Sequence, residues 1–140
     1  MARKIASTRI RVRYGETDQM GVVYYANYLV WMEVARVAYC RESGFEYRDM
    51  EREGGAYLVV TEARCRYRAP ARFDDEIDVA CWVTESRSRT VRFAYEMRRD
   101  GELVATGETL HTVTDRDGRM IRLPERYREF IPLARRVPAS

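Results

Sequence analysis

One run of residues limits the folds available to this chain more than any other feature. From Tyr28 to Cys40 every residue is apolar or aromatic except Glu33 and Arg36. Asn27 is a candidate N-cap and Ser43-Gly44 a candidate stop, so a helix is predicted between them. A helix that is apolar nearly all round has to be buried. In a chain of 140 residues, the economical way to cover it is to wrap a sheet around it.

The rest of the chain supplies that sheet, because apolar and polar residues alternate along it as they do in half-buried strands. Five strands are predicted, over residues 9–14, 57–67, 77–83, 91–97 and 103–113. Pro70 ends the second strand, and Asp100-Gly101 and Asp117-Gly118 mark turns. Pro124 suits the first position of a short helix from Glu125 to Phe130. One strand, a long helix and four mostly antiparallel strands predict an α+β domain.

Length and composition favour one soluble globular domain, residues 1–140, with 46% apolar and 34% charged residues. The core is expected from about Arg9 to Pro132, followed by a frayed tail. No stretch is long and apolar enough for a membrane span, and no apolar signal core follows Lys4, so the cytoplasm is the expected compartment. The cysteines are widely spaced and form no CxxC, which predicts reduced structural thiols: Cys40, Cys65 and Cys81.

The segment between the first strand and the helix is the best candidate for chemistry. Asp18 lies in a Gly-flanked turn shortly before a helix N-terminus, which carries unsatisfied N–H groups and a partial positive charge. A carboxylate beside such donors is what acyl hydrolysis needs, although an Asp before a helix can also be a simple cap. The single histidine, His111, lies inside a strand and is predicted to be structural. The shortage of ligands argues against a metal site.

Two stretches resemble one protein family. Residues 15–28 read GETDQMGVVYYANY, and residues 67–75 read YRAPARFDD. Both resemble the hot-dog-fold acyl-CoA thioesterases of the 4-hydroxybenzoyl-CoA thioesterase type, and the similarity runs from about Arg9 to Pro132. The resemblance implies a five-stranded antiparallel sheet wrapped around a long central helix, assembled as a homodimer or homotetramer. It implies an acyl-CoA or acyl-carrier-protein substrate and no cofactor.

The resemblance also implies roles for residues of the first motif. It matches Asp18 to the catalytic Asp and Tyr25 to the residue whose backbone N–H polarises the thioester carbonyl. Gly21 matches the glycine that lets the chain approach closely. Glu16 fits the motif too, but is expected to be a turn and surface residue.

Substrate-binding residues are expected in three other places. The turn around Arg87, Ser88 and Arg89 matches the region where related thioesterases bind nucleotide phosphates, although arginines in a turn of so arginine-rich a chain can also arise by chance. Glu33 is expected either to pair with Arg36 or to line the acyl pocket. Tyr57 begins the strand that in the family lies beside the acyl group.

The predicted function is acyl-CoA thioester hydrolysis, with Asp18 as nucleophile or general base. The alternatives are a hot-dog dehydratase or hydratase, which would need a histidine, and a non-catalytic module that binds acyl-CoA or acyl-carrier protein. Arginines at 9, 11 and 13 and at 64, 66 and 68 raise a further alternative, a basic face for nucleic acid. No nucleic-acid motif accompanies them, and 25 basic residues face 22 acidic ones. A solvated sheet face is therefore expected instead. The identity of the acyl group is not indicated by the sequence.

Overall fold

The computed structural model describes residues 4–128 and 131. Its elements follow in chain order: β1 (Ala6–Arg11), α1 (Asn27–Ser43), α2 (Tyr47–Arg52), β2 (Tyr57–Tyr67), β3 (Glu76–Ser86), β4 (Thr90–Arg99), β5 (Glu102–Thr114) and α3 (Glu125–Arg128). The strands form one sheet in the order β1-β3-β4-β5-β2, and every neighbouring pair is antiparallel. The predicted α+β arrangement, a five-stranded antiparallel sheet with a helix packed against it, is confirmed. The predicted end of the last helix at Phe130 and the predicted tail from Pro132 lie outside the described residues.

The core lies between one side of α1 and the inner face of the sheet. The helix buries six side chains against it: Tyr28, Trp31, Met32, Ala35, Tyr39 and Cys40. From the sheet, alternate residues of β3 and β4 such as Ile77 and Phe93 are fully buried. Gly107 of β5 is needed for space, because a Cβ there would lie 2.1 Å from Met32 Cε and 2.9 Å from the Arg64 carbonyl oxygen.

The other side of α1 is not covered within one chain. Leu29, Val30 and Val34 are 41–45% exposed, so within the single chain the sheet covers the apolar helix on one side only. The reason is geometric, since a five-stranded sheet reaches around only one side of a helix. The edge strand β2 is also open, with Val59 and Val60 44% and 46% exposed. Apolar helix surface and an unpaired sheet edge are therefore both accessible.

Several predicted boundaries need correction. Asn27 is the first residue of α1 and not its N-cap, and its side-chain amide donates to the Glu16 carbonyl at 2.8 Å. The first strand is earlier than predicted, and Tyr14 belongs to a 3₁₀ turn that follows it. The short helix α2 was not predicted, because its one buried side chain, Met50, gives no periodicity. Trp31 and Trp82 are both buried.

A line of hydrogen bonds crosses the core beneath α1. Arg36 Nη1 donates to the Tyr95 hydroxyl at 3.2 Å, and that hydroxyl lies 2.7 Å from the Thr109 hydroxyl. His111 Nε2 lies 2.8 Å from Thr109 Oγ1, and His111 Nδ1 lies 3.3 Å from the Leu58 carbonyl oxygen. Because a carbonyl only accepts, Nδ1 carries the proton, and every bond in the line donates from Arg36 toward Leu58. His111 is fully buried and structural, as predicted.

The two arginine stripes lie at opposite edges of the sheet, because β1 and β2 are its two outermost strands. On β1, Arg9 and Arg11 form ion pairs with Glu76 and with neighbouring aspartates. One chain therefore does not join the two stripes into a single basic face. Within residues 4–128, no helix has the length and apolar character required to cross a bilayer.

Candidate active site

The loop from Thr17 to Val23 is closed on itself by backbone hydrogen bonds. Asp18 N–H donates to the Val22 carbonyl at 2.8 Å, and Gly21 N–H donates to the Asp18 carbonyl at 3.0 Å. Gly21 has a φ of 79°, which favours glycine, whereas a Cβ there would meet no protein atom within 4 Å. In the protein itself, the glycine therefore serves the turn conformation. Whether it also makes room for a substrate stays a prediction.

Glu16 fixes this loop against α1. Its carboxylate accepts hydrogen bonds from the Trp31 indole N–H at 2.9 Å and from the Arg13 N–H at 2.8 Å. Its carbonyl accepts from the Tyr24 N–H and from the Asn27 side chain. Burial alone would raise the pKa of Glu16, but the two hydrogen bonds to its carboxylate and the nearby Arg13 guanidinium outweigh burial and lower it. Glu16 does lie in a turn, but it is buried, so its predicted surface position is wrong.

The second motif is tied to the first through the backbone. Val23 N–H donates to the carbonyl of Ala71, which is fully buried. The Asp75 carboxylate accepts from the Arg72 N–H at 2.8 Å and from Arg99 Nη1 at 3.1 Å, and Arg99 also donates to the Pro70 carbonyl. The two motifs are therefore parts of one structure, the wall around Asp18.

Asp18 lies in a pocket of about 380 Å³ where the two motifs meet. The lining comes from both motifs and from the start of α1: Asp18, Val22, Val23, Tyr25, Tyr28, Tyr67, Arg68, Ala69 and Pro70. Asp18 Oδ1 accepts from the Met20 N–H at 2.8 Å. Among residues 4–128 and 131, Oδ2 has no hydrogen-bond partner, so this oxygen is available to a ligand.

Two backbone donors lie at the start of α1. Within the described part of the chain, the N–H groups of Tyr25 and Ala26 have no acceptor, and no side chain caps the helix at Ala26. Tyr25 lines the same pocket as Asp18. Unpaired N–H groups at a helix N-terminus favour negative charge, as on the oxygen of a carbonyl under attack. The structure therefore places Asp18 and the predicted donor Tyr25 around one cavity.

The predicted substrate-binding residues are not brought to this pocket within one chain. Arg87, Ser88 and Arg89 form the β3–β4 turn, and the Arg89 carbonyl accepts from Val113 N–H beside the first residues of β2. Tyr57 begins β2 at that same end. The pocket instead contains Tyr67, at the other end of the strand and about 33 Å away along eleven extended residues.

Glu33 has a different position from both groups. It is exposed on α1, about two turns after Tyr25. The predicted Glu33–Arg36 ion pair is not present among the described residues, because Arg36 donates to Tyr95 instead. Over those residues, no group of three or more His, Cys, Asp and Glu side chains could hold a metal ion.

A larger pocket of about 650 Å³ lies at the far end of α1, lined by residues of α1, α2 and α3. Its charged groups are largely paired with each other, as Arg41 with Glu46 at 3.1 Å. It contains no residue of either motif. The smaller Asp18 pocket is therefore the better candidate for the active site.

Residues 12–138 match the family model described as the thioesterase-like superfamily. The chain belongs to this superfamily. This thioesterase-like protein is 37% identical over 114 residues to a putative acyl-CoA thioesterase, YneP, of Bacillus subtilis, with 81% of this chain and 82% of the relative covered. The crystal structure of a DHNA-CoA thioesterase from Staphylococcus aureus is 37% identical, with a TM-score of 0.83 over 88% of this chain and 83% of that one.

The likeness in fold extends to the 4-hydroxybenzoyl-CoA thioesterase of Pseudomonas sp. strain CBS-3. That structure is 24% identical, with a TM-score of 0.83 over 92% of this chain and 99% of that one. At this identity the comparison shows the fold alone, and the hot-dog fold implied by the resemblance is confirmed.

Two residues of the site in this thioesterase-like protein were not found by sequence reasoning. Glu16 and Tyr67 were both inside the quoted motifs, but neither was given a role at the site. Their motif positions were the available signal. Their partners, Trp31 for Glu16 and Tyr25 for Tyr67, are distant in sequence and become evident only in the folded chain.

Proposed function

We propose that this protein hydrolyses the thioester of an acyl-CoA to the free acid and CoA, in the cytoplasm. The observation that carries the proposal is the shared pocket, which both Asp18 and Tyr25 line. Among the described residues, Asp18 Oδ2 and the Tyr25 N–H have no hydrogen-bond partner. Membership of the thioesterase-like superfamily and the names of its relatives support the same activity.

The chemistry follows from these two groups. Hydrogen bonds from Tyr25 N–H, and from Ala26 N–H behind it, would stabilise the negative charge that develops on the thioester oxygen. Asp18 would either attack the carbonyl carbon, giving a mixed anhydride that water then opens, or take a proton from the attacking water. In both routes the C–S bond breaks and CoA leaves as a thiolate, a good leaving group that needs little acid assistance.

The position of His111 disfavours the dehydratase alternative. Proton abstraction beside a thioester would need an accessible imidazole, whereas both nitrogens of His111 are bonded inside the core. A non-catalytic binding module remains distinguishable by experiment, because it would bind acyl-CoA without releasing a thiol.

The exposed apolar surface supports assembly with a second copy. A partner strand that pairs with the open edge of β2 would cover Val59 and Val60 and satisfy the unpaired backbone groups. Further contacts would cover Leu29, Val30 and Val34 of α1. We therefore propose a homodimer, or a homotetramer built from two such dimers.

An antiparallel β2–β2 pair would also bring the missing substrate-binding residues to the pocket. Such a pair places the Tyr57 end of one copy beside the Tyr67 end of the other. The turn with Arg87, Ser88 and Arg89 lies at the Tyr57 end, so it would approach the Asp18 pocket of the second copy. We propose that these residues bind the nucleotide phosphates there, and that Tyr57 and Glu33 line the acyl pocket.

The direct test of the activity is thiol release from butanoyl-CoA, palmitoyl-CoA and benzoyl-CoA, read with a thiol reagent. The proposal expects turnover of at least one of these short aliphatic, long aliphatic and aromatic substrates. Tight binding of all three without thiol release would contradict it and favour the binding module. Assaying acyl-carrier-protein thioesters of the same acyl groups in parallel shows whether the enzyme prefers CoA or acyl-carrier protein as the thiol part of its substrate.

Subunit mixing tests the shared site. Asp18→Asn protein and Arg87→Ala/Arg89→Ala protein, each assayed at low substrate concentration, should regain activity when co-assembled, because one hybrid site then contains an intact Asp18 and intact arginines. No recovery would place both groups in one chain's site. Light scattering should give two or four times the 16.5 kDa chain mass, and a fully active monomer would contradict the assembly.

A further inference from the structure

Tyr67 lines the same pocket as Tyr25 and contacts the backbone of that residue. Its hydroxyl, at the end of β2, donates to the Tyr25 carbonyl at 2.9 Å. The helix backbone gives this carbonyl only one long hydrogen bond. The Tyr28 N–H is 3.4 Å away, and the Leu29 N–H donates to the Ala26 carbonyl instead. A side chain from a distant strand therefore provides the better hydrogen bond to a carbonyl that lies just before α1.

The Tyr67 side chain is held in place for this contact. Its ring packs edge-on against the Tyr28 ring, with centroids 5.0 Å apart and planes at 83°. Burial and the neighbouring Cys65 raise the pKa of Tyr67, so the phenol keeps its proton and remains a donor at neutral pH. The residue is nevertheless 47% exposed and lines the Asp18 pocket. Tyr67 therefore belongs to the pocket more than to the core.

Both peptide units that flank Tyr25 are fixed by hydrogen bonds to their carbonyls. The preceding unit is held because the Tyr24 carbonyl accepts from the Asn27 N–H at 2.9 Å, and the following unit is held by Tyr67. The N–H groups of these units, those of Tyr25 and Ala26, have no acceptor among the residues that the structure describes. A hydrogen bond to the carbonyl of a peptide also polarises its N–H and makes it a stronger donor.

We propose that Tyr67 is a positioning residue for thioester hydrolysis. Its hydrogen bond fixes the peptide that follows Tyr25 and polarises the single N–H of that peptide, the Ala26 N–H, so that this donor, beside the Tyr25 N–H, meets the developing oxyanion. Tyr67 acts through the backbone and not on the substrate, because its one hydroxyl hydrogen is used by the Tyr25 carbonyl. The inference rests on the proposed function, and it adds a residue to which the motif alone gives no role.

The first test is Tyr67→Phe, which removes one oxygen and keeps the ring contact with Tyr28. We expect kcat to fall roughly 2- to 10-fold, the range that one neutral hydrogen bond supplies, with KM nearly unchanged. Tyr47→Phe is the matched control, because its hydroxyl also donates to a backbone carbonyl, that of Leu58 at 3.1 Å, but away from the pocket. The control should leave kcat unchanged. Equal losses of kcat in the two variants would overturn the proposal.

The second test reads the hydrogen bonds to the carbonyl without turnover. Benzoyl-CoA and butanoyl-CoA labelled with ¹³C at the carbonyl are bound to Asp18→Asn protein, and their C=O stretch is measured by difference infrared spectroscopy. The stretch of the bound ligand should lie at lower frequency than that of the same labelled ligand free in solution. Adding Tyr67→Phe should reduce that shift, and adding Tyr47→Phe should not. An unchanged shift in the Tyr67→Phe protein would refute the positioning role while the wild-type thiol release still supported the hydrolase, so the two failures are distinguishable.

Discussion

Mild acid should destabilise the fold through His111. Burial lowers the pKa of His111 from an ordinary 6.5 to about 4, and the charge of Arg36 acts in the same direction. Protonation would also place a hydrogen on Nε2, where the Thr109 hydroxyl already donates, so the line of bonds from Arg36 would have to break. The folded protein therefore excludes a proton that the unfolded chain binds.

The sign and size of the effect follow from that difference. As pH falls from about 6.5 to about 4, only the unfolded chain gains the proton, so the free energy of unfolding decreases across this window and levels off below it. The free energy of unfolding falls by about 3 kcal/mol over the full window and by about 2 kcal/mol between pH 6.5 and 5. That is a large share of the stability of a typical domain.

Urea unfolding followed by tryptophan fluorescence at pH 7, 6 and 5 measures this effect. Carboxylates begin to titrate toward the lower end, so the comparison is with His111→Gln, which cannot take up the proton. The variant should start less stable at pH 7 but lose about 2 kcal/mol less than the wild type between pH 7 and 5. Parallel losses in the two proteins would refute the role assigned to His111.

Two further predictions concern the site. Glu16→Ala leaves the buried Trp31 indole N–H and the Arg13 N–H without their acceptor. The free energy of unfolding measured in urea titrations should therefore fall by about 1–3 kcal/mol, and kcat should fall with it. Unchanged stability and kcat would contradict the anchoring role. Arg87→Ala/Arg89→Ala should raise KM for acyl-CoA with kcat nearly unchanged, because a remote contact is lost equally from ground and transition states. That KM difference should shrink as salt rises, and an unchanged KM at low ionic strength would mean that other residues bind the phosphates.

Periodicity predicted the fold well where each element buries one continuous side. The inner residues of β3 and β4, such as Ile77 and Phe93, alternate cleanly, and α1 is a long apolar run. It failed for α2, where one buried residue in six gives no pattern. It also failed for Glu16, because a glutamate is rarely buried and its partner Trp31 is 15 residues away.

The site was predictable only where the motif is contiguous. Asp18, Gly21 and Tyr25 lie in one turn and the helix start that follows it, so their proximity follows from their spacing. Arg87 and Tyr57 could not be placed in the same way, because their distance from Asp18 depends on strand order and direction. The antiparallel pairing in the order β1-β3-β4-β5-β2 puts both at the end of the sheet away from Asp18. Alternation within each strand does not contain this information.

The most direct test of the central claim is kcat for thiol release by Asp18→Asn protein on the best acyl-CoA of the panel. Asn keeps the size and the turn hydrogen bond but removes the negative charge, so we predict a loss in kcat of roughly 10²-fold or more, with unchanged stability. Asp74→Asn, the same change at an exposed residue of the second motif, is the matched control and should retain wild-type kcat. An Asp18→Asn protein that hydrolyses acyl-CoA at near wild-type rate would contradict the account.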